Sequence, residues 1–467
     1  MIRRCSVLSP LCVLLVGGCM AASTPPAPVA PPMASAAFTP RATASIAPVP
    51  DQWWHLFNDP QLDKLVQASL AANADLRVAY ANLDAARAAI RQADAARLPQ
   101  PIIESSLGVD NPSGQPSAAN VSASDYDVAA TISWDIDLFG RLRSGALAAR
   151  ADADAQAAAL DGVRVAVAAD TVLAYVDLCG ATHVGRIARE IVTTQEHSLK
   201  GVQEQYRAGE LSPLEVSQAA SLLASSRAML PSFDAAHDGA RYRLATLQGL
   251  PPTDPRIAAI DCAALPRLTG TAPVGDGAAL LLRRPDIREA ERKLASATAG
   301  IGVARADLYP RVNLGGALGL LSGGFAATAS PLISWAFPNQ APARAKIAKA
   351  RANERGALAS WDVAVLRALR EVETVLAVAQ AEAQRNGALA KATDEAVLYA
   401  RRTASRARLG DVSPLLAIDA ERTRATAALA TAQSDLLIAQ SYVALFRALG
   451  GGWQDAPQPL DPARPIG

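Results

Sequence analysis

The histidines and cysteines are the side chains that could ligate a metal or act as nucleophiles, and their spacing favours neither role. The histidines are scattered, without the short intervals typical of metal ligands. They are His55, His183, His197 and His237. The sequence has no P-loop, His-Glu-x-x-His, nucleophile elbow, dinucleotide fingerprint or Cys-x-x-Cys. We therefore expect neither an enzyme nor a metal site, and no cofactor.

Cys19 is the exception, because its surroundings predict covalent lipidation. Residues 1–18 have the charged start and apolar middle of a secretory signal. The run Val16-Gly17-Gly18-Cys19 resembles a bacterial lipobox, where cleavage leaves the cysteine at the new N-terminus to take lipid. Met20 follows in place of the aspartate that retains lipoproteins in the inner membrane, so an outer-membrane location is expected. The alternative is an ordinary signal peptide with a chance cysteine.

Two cysteines remain in the mature chain besides Cys19, and they would lie in an oxidising compartment. A Cys179–Cys262 disulfide would pin the connector of about residues 250–282 to a long helix. Two buried free thiols are the alternative.

Long helices must position these residues. Arg141–Arg207 and Arg344–Arg408 contain no proline and are rich in alanine, which predicts helices roughly 95–100 Å long. Such helices need long partners, and the abundance of alanine with few aromatics favours close helix packing.

Residues 19–50 are predicted to form a lipidated, Pro-rich tether. The net charge of +1, without a polybasic run, gives no support for binding nucleic acid.

The chain contains an internal repeat. Asp75 to Pro99 matches Asp286 to Pro310 at a shift of 211, and Ile132-Ser133-Trp134 matches Ile333-Ser334-Trp335 at a shift of 201. A length change at one place marks an exposed loop. We therefore divide the mature chain into a first repeat, an equatorial connector, a second repeat and a tail. These comprise residues 51–250, 251–282, 283–450 and 451–467.

Each repeat also carries a pair of alternating apolar and polar segments, which predicts strands at about 100–110, 126–138, 311–321 and 329–337. Their lengths suit tilted crossings of a bilayer, and no later segment has about 18 uninterrupted apolar residues. Trp134 and Trp335 would then lie in an interfacial aromatic girdle. Four strands cannot close a barrel, and open edges are forbidden in lipid, so a spanning chain must oligomerise. A periplasmic β-sandwich is the alternative.

Each long helix is predicted to turn back sharply. Ser212-Pro213-Leu214-Glu215 is a capping box, and Gly209 is placed to end the preceding helix. Gly410 and Ser413-Pro414 repeat this arrangement, and Pro231 is expected to kink its helix. The last helix has a heptad seam of mostly small and apolar residues. The seam comprises Leu415, Ile418, Arg422, Ala425, Leu429, Ala432, Leu436, Ala439, Val443 and Phe446.

These features together resemble the outer-membrane factor family of TolC-like channels, and within it the NodT/OprM-like efflux lipoproteins. The residues that carry the resemblance include the lipobox, Arg283-Arg284-Pro285-Asp286, Ala306 to Pro310, Trp134 to Arg141 and Leu416 to Arg422. The resemblance implies a mainly α-helical fold with a small membrane β part. It also implies a homotrimer, with twelve strands in one outer-membrane barrel and a periplasmic barrel of helices below it.

The resemblance further implies partners and sites. A periplasmic membrane-fusion adaptor and an inner-membrane pump of the resistance-nodulation-division type would dock from below. The adaptor would meet the hairpin tips, Gly209, Glu210, Leu211, Ser212, Gly410, Asp411, Val412 and Ser413. Asp419 and Arg422, at i and i+3, would form a periplasmic gate with one carboxylate ring, because position 218 is Gln. Arg422 lies on the seam, which favours partners from neighbouring helices over a local pair.

The function expected from the resemblance is passive exit of small molecules through the outer membrane. The first alternative is the exit duct of a type I protein secretion system. The second is a periplasmic coiled-coil scaffold lipoprotein, which would not account for the alternating strands. The sequence does not reveal the substrate.

Overall fold

The structure is a computed structural model that describes residues 38–39, 44–108, 125–260, 262, 264–268, 270–321, 324–454 and 456–457. Cys19 and most of the tether lie outside these residues. The described chain divides into two compact units. The strand unit comprises residues 82–157 and 289–361, and the helical unit comprises residues 38–81, 158–288 and 362–457.

The strand unit contains one antiparallel sheet of four strands. They are β2 (Gln100–Gly108), β3 (Asp125–Ile136), β5 (Arg311–Leu321) and β6 (Gly324–Ser334). The strand order is β2-β3-β5-β6, so the two hairpins join through β3 and β5, where Thr131 lies opposite Ala317. Strands of 9 to 12 residues match the length of a tilted bilayer crossing. Within the described chain, β2 and β6 each have one neighbour and form the edges of the sheet.

The last strand differs from its predicted span of 329–337. It begins at Gly324 and ends at Ser334, whose partner is Arg311, the first residue of β5. Trp335 therefore follows the strand. The early part of β6 was missed because Ala326, Ala327 and Ala329 alternate with little that is polar, so a period of two is not visible there. The predicted strand 126–138 ends at Ile136.

Long helices follow each hairpin. Helix α3 (Arg141–Arg207) has 67 residues and α8 (Ala341–Arg408) has 68. At the standard rise each is about 100 Å long. Helix α8 begins three residues before its predicted start, because Pro342 is well tolerated in a first turn. In α3, one 18-residue stretch is apolar enough to cross a membrane, but 72% of it is buried within the chain, as in a packed core helix.

The returning helices α4 (Pro213–Leu247) and α9 (Pro414–Ala448) have 35 residues each. Pro231 lies inside α4 without ending it. Helices α2 (Ala74–Ala95) and α7 (Pro285–Ala306) precede the two hairpins and have 22 residues each. The equal lengths of these pairs confirm the duplicated plan of the fold.

The core of the helical unit includes the predicted seam. Six of its members are buried: Ile418, Ala425, Ala432, Ala439, Val443 and Phe446. Phe446 stacks on Trp53, with ring centroids 4.9 Å apart. Trp53 lies in a short 3-10 helix before α1 (Pro60–Ala72), whose N-cap Asp59 accepts from the backbone of Gln61 and Leu62. The aromatic contact thus joins the start of the first repeat to the end of the second.

The connector holds the short elements α5 (Pro255–Ala258), β4 (Ala272–Pro273) and α6 (Gly277–Arg283). Strand β4 pairs in parallel with β1 (Ala44–Ser45), which lies at the end of the tether. Thr39 also donates to Glu373 of α8 through its backbone nitrogen, at 2.8 Å. The described end of the tether is therefore bound along the helical unit.

Candidate functional site

The two turns that join a long helix to its returning helix are exposed at most positions. Gly209 and Gly410 have φ values of +76° and +75°, a left-handed conformation that glycine adopts without steric cost. The backbone N–H of the residue after each glycine donates to a carbonyl in the last turn of the long helix. Glu210 donates to the carbonyl of Gln205 at 2.9 Å, and Asp411 donates to Arg406 at 3.0 Å. Both repeats thus end their long helix in the same way.

The first turn starts α4 with a complete capping box. The backbone N–H of Leu214 donates to the Ser212 hydroxyl at 3.2 Å, and the N–H of Ser212 donates to the Glu215 carboxylate at 3.1 Å. The Ser212 hydroxyl also donates to this carboxylate, which lowers the pKa of Glu215. The arrangement fixes the α4 start without any partner protein.

The second turn has half of this cap. The Ser413 hydroxyl accepts from the N–H of Leu415 at 3.2 Å, but Leu416 stands where a glutamate would complete the box. An ion pair of 2.8 Å between Arg406 and Asp411 spans this turn instead. Both turns expose large apolar side chains, Leu214 in the first and Leu409 in the second. Both turns therefore present apolar and charged groups to solvent.

A small apolar cluster lies behind the turns. It consists of Val202 of α3, Ala219 of α4 and Ile418 of α9, with Leu211 and Val216 packed against it. The cluster therefore joins the α3–α4 helix pair to the start of α9. Asp419 follows Ile418 directly and points into solvent.

Asp419 and Arg422 form an ion pair with each other on one face of α9. Their side chains are 49% and 65% exposed, and an exposed i,i+3 pair contributes only a few tenths of a kcal/mol. In the single chain Arg422 is exposed and makes the local pair that was ranked below partners from neighbouring helices; partners from other copies stay a prediction. Asp419 lies one turn earlier, within reach of the flexible guanidinium.

Trp134 and Trp335, which are predicted to lie in an interfacial girdle, make equivalent hydrogen bonds. Trp134 donates its indole N–H to the carbonyl of Arg97 at 3.0 Å, and Trp335 donates to the carbonyl of Leu308 at 3.0 Å. Each bond joins the end of a hairpin to the residues between the preceding helix and the first strand. The rings remain 38% and 50% exposed. The indoles thus have a bound polar end and an exposed apolar face, as interfacial tryptophans require.

Cys179 and Cys262 form a disulfide, with their Cα atoms 5.2 Å apart. Cys179 lies buried in α3, and Cys262 belongs to the connector. A second attachment lies five residues on, where Arg267 pairs with Asp435 of α9 at 2.9 Å. Asn386 of α8 donates to the same carboxylate at 2.9 Å. The connector is therefore fastened directly to α3 and α9, and the same Asp435 carboxylate also binds α9 to α8.

A polar attachment that the sequence did not reveal occurs in both repeats. The side-chain amide of Asn73 donates to the carbonyl of Leu247 at 3.0 Å, and Arg284 donates to the carbonyl of Ala448 at 2.8 Å. Arg284 is also paired with Asp286 and Glu371 at 2.7 and 2.9 Å. Burial alone would lower its pKa, but these hydrogen bonds and charges hold the pKa above its ordinary value. The repeat shifts place Asn73 on Arg284 and Leu247 on Ala448, which is the signal that could have found this contact.

Within the described residues, no group of three or more His, Cys, Asp or Glu side chains is arranged to hold a metal ion. Arg284, Asp286 and Glu371 line a groove of about 700 Å³ together with apolar residues of α3 and α9. Within it Arg284 is paired with both carboxylates, and Arg370 and Arg447 also line the groove, so we read the Arg284 cluster as a structural contact.

Comparison with known proteins decides the family. The model of the outer membrane efflux protein family matches residues 65–250 and 278–451, which are the two repeats. The chain belongs to the outer membrane efflux protein family. It is a channel protein for efflux across the outer membrane and not an enzyme.

Individual relatives agree along nearly the whole chain. Outer membrane protein OprJ of Pseudomonas aeruginosa is 30% identical over 473 residues, covering 95% of each chain. Nodulation protein T of Rhizobium leguminosarum bv. trifolii is 28% identical over 411 residues, covering 86% of this chain and 88% of that protein. The structure of the outer-membrane channel OprN matches with a TM-score of 0.83 and 35% identity, covering 91% of this chain and 99% of that one. The TolC-like and NodT-like resemblance is thereby confirmed.

Proposed function

We propose that three copies of this efflux protein form the exit duct of a tripartite pump, anchored in the outer membrane by lipid on Cys19. Their twelve strands would close one barrel, and their long helices would continue it into the periplasm. A membrane-fusion adaptor would dock at the hairpin tips, and an inner-membrane pump of the resistance-nodulation-division type would deliver small molecules. The channel itself would be passive.

The open sheet is the observation that carries this proposal. Strands β2 and β6 each lack a second neighbour within the described chain, and unpaired backbone groups are not tolerated in lipid. A single chain has too few strands to close on itself, because membrane barrels need about eight or more. Pairing of β6 with β2 of the next copy satisfies both edges and closes a ring.

The efflux role is supported by the tips and by relatives. Probable efflux pump outer membrane protein TtgC of Pseudomonas putida is 30% identical to this chain. The exposed Leu214 and Leu409 beside Asp411 and Glu210 provide an apolar and charged surface that a helical adaptor could cover.

Co-purification after cross-linking tests the efflux role: a resistance-nodulation-division pump and its adaptor should be recovered. Recovery of an ABC transporter would support the type I secretion alternative.

Native mass spectrometry of the complex, extracted in mild detergent from outer membranes, tests assembly. We expect three chains, each lacking residues 1–18 and carrying a lipid-sized addition on Cys19. The variant C19A, targeted with a cleavable non-lipoprotein signal, should lose the addition and still form trimers. A single unlipidated wild-type chain would contradict the proposal.

The gate is the second part of the proposal. Three Asp419 carboxylates would narrow the periplasmic mouth and attract cations, with Arg422 holding the turn of α9 in place. We expect D419A/R422A to raise the conductance of single channels in planar bilayers several-fold. The matched control is D84A/R87A, which removes another exposed i,i+3 pair. This pair lies in α2, distant in sequence from Asp419, so its loss should leave conductance unchanged. Equal conductance of wild type and D419A/R422A would exclude the gate.

A further inference from the structure

Two exposed arginines follow the strand hairpins, one in each repeat. Arg143 lies in the first turn of α3 and Arg344 in the first turn of α8, and both side chains are exposed. They are equivalent in the repeat, and each follows a girdle tryptophan, Trp134 or Trp335, by nine residues. The same cation therefore occurs twice at the same place below the sheet.

Neither arginine is explained by local structure. In the part of the chain that the structure describes, no carboxylate pairs with either guanidinium. Their neighbours differ: Arg141 is paired with Asp135, and Lys346 with Asp307 at 2.7 Å. A cation in the first turn also opposes the helix dipole, which favours negative charge there. Helix stability therefore does not account for these two residues.

Exposed aromatic side chains precede both arginines in the chain. Phe139 stacks on Tyr309 with ring centroids 4.6 Å apart, and Trp335 stacks on Phe337 at 4.7 Å. All four rings are at least 42% exposed. Stacked, exposed aromatic pairs at the ends of membrane strands are typical of the level where acyl chains meet headgroups.

We infer that Arg143 and Arg344 bind the phosphates of anionic phospholipids in the periplasmic leaflet, while the aromatic pairs contact the adjoining acyl chains. Arginine suits this role because its planar guanidinium gives two parallel hydrogen bonds to phosphate oxygens. The inference rests on the proposed membrane crossing of the four strands. It adds a lipid selectivity that the efflux function does not require.

The test uses the lipidated wild-type trimer and R143Q/R344Q, both inserted into nanodiscs of phosphatidylethanolamine with a minor share of phosphatidylglycerol. Lipids that remain bound after release of the protein are counted by native mass spectrometry. We expect the wild type to retain phosphatidylglycerol above its share in the nanodisc. In R143Q/R344Q this enrichment should be at least five-fold lower, since each arginine near an anionic surface changes binding about five-fold. R143K/R344K should keep part of it.

The matched control is R401Q/R402Q, which removes two exposed arginines near the far end of α8. It should retain phosphatidylglycerol like the wild type. Equal retention by wild type and R143Q/R344Q would overturn the inference, whether the arginines face the lumen or a neighbouring subunit. A shift in ion selectivity without a change in retained lipid would assign them to the lumen. Failure of the wild type to insert would reject the proposed function as well.

Discussion

Arg284 donates a hydrogen bond of 2.8 Å to the carbonyl of Ala448, and so joins the start of helix α7 to the end of helix α9. Two carboxylates, Asp286 and Glu371, complete its surroundings. Asn73 makes the corresponding bond to Leu247 in the first repeat. The second repeat therefore has a charged attachment where the first has a neutral one, and both side chains are buried.

Replacing Arg284 should destabilise the helices. We expect R284M to lower the free energy of unfolding by about 2–3 kcal/mol, because the Ala448 carbonyl loses its partner and two carboxylates lose their cation. R284K should have a free energy of unfolding between those of the wild type and R284M. Thermal loss of helical circular dichroism measures the effect. R370M is the control, since Arg370 lines the same groove and is exposed; an equal loss in both variants would contradict a specific role for Arg284.

Removal of the disulfide should loosen the connector. The bridge closes a loop with a sequence separation of 83, for which chain entropy predicts about 4–5 kcal/mol of stabilisation. C179A/C262A should therefore unfold at lower temperature and be cut by protease within the connector. Single variants C179A and C262A should each match the double variant. Full protease resistance of C179A/C262A would show that Arg267 and its partner Asp435 suffice.

The turn glycines give a prediction whose sign depends on position. G209A and G410A should each lower local stability by about 1 kcal/mol, because alanine is strained at positive φ. Gly201 lies inside helix α3 with open space around it, so G201A should stabilise by up to about 1 kcal/mol. Hydrogen exchange of peptides spanning the turns measures both. Equal protection in G209A and wild type would disprove the strain.

Acid should weaken the first turn. The folded pKa of Glu215 lies below its ordinary 4.5, mainly because the Ser212 hydroxyl donates to the carboxylate. A lowered pKa contributes stability above the unfolded pKa, and this is lost as pH falls through the folded value. Exchange at the α4 start should therefore quicken toward about pH 3 relative to E215Q. The same intrinsic exchange applies to both proteins, so identical ratios at neutral and acid pH would contradict the prediction.

The regular elements could be predicted because the sequence repeats its signals. Gly209 and Ser212 mark one turn, Gly410 and Ser413 mark the other, and the structure ends and starts its helices at these residues. The alternation of β3 likewise indicates a strand. Local patterns of this kind depend on backbone sterics and on which side of an element faces the core.

The missed features depend on contacts between distant residues. The two-residue pairing of Ala44 with Ala272 has no periodicity to detect. The start of β6 has small residues on both faces, so register with β5 defines it rather than its own pattern. Partners on other helices were favoured for Arg422, and in the single chain its side chain pairs with Asp419 of its own helix. Residue spacing predicts which face of a helix a side chain lies on, but it does not by itself predict which partner a long side chain contacts.

The central pairing of β3 with β5 leaves β2 and β6 with one neighbour each within the described chain, and in the ring proposed above these two edges pair with other copies. In a closed ring every copy then supplies one edge to each neighbour, and no copy can be omitted. A chain with a damaged β2 or β6 would also remove its two intact neighbours from service. Such an allele would be genetically dominant, and a modest share of defective chains in a mixed population would suppress most of the working channels.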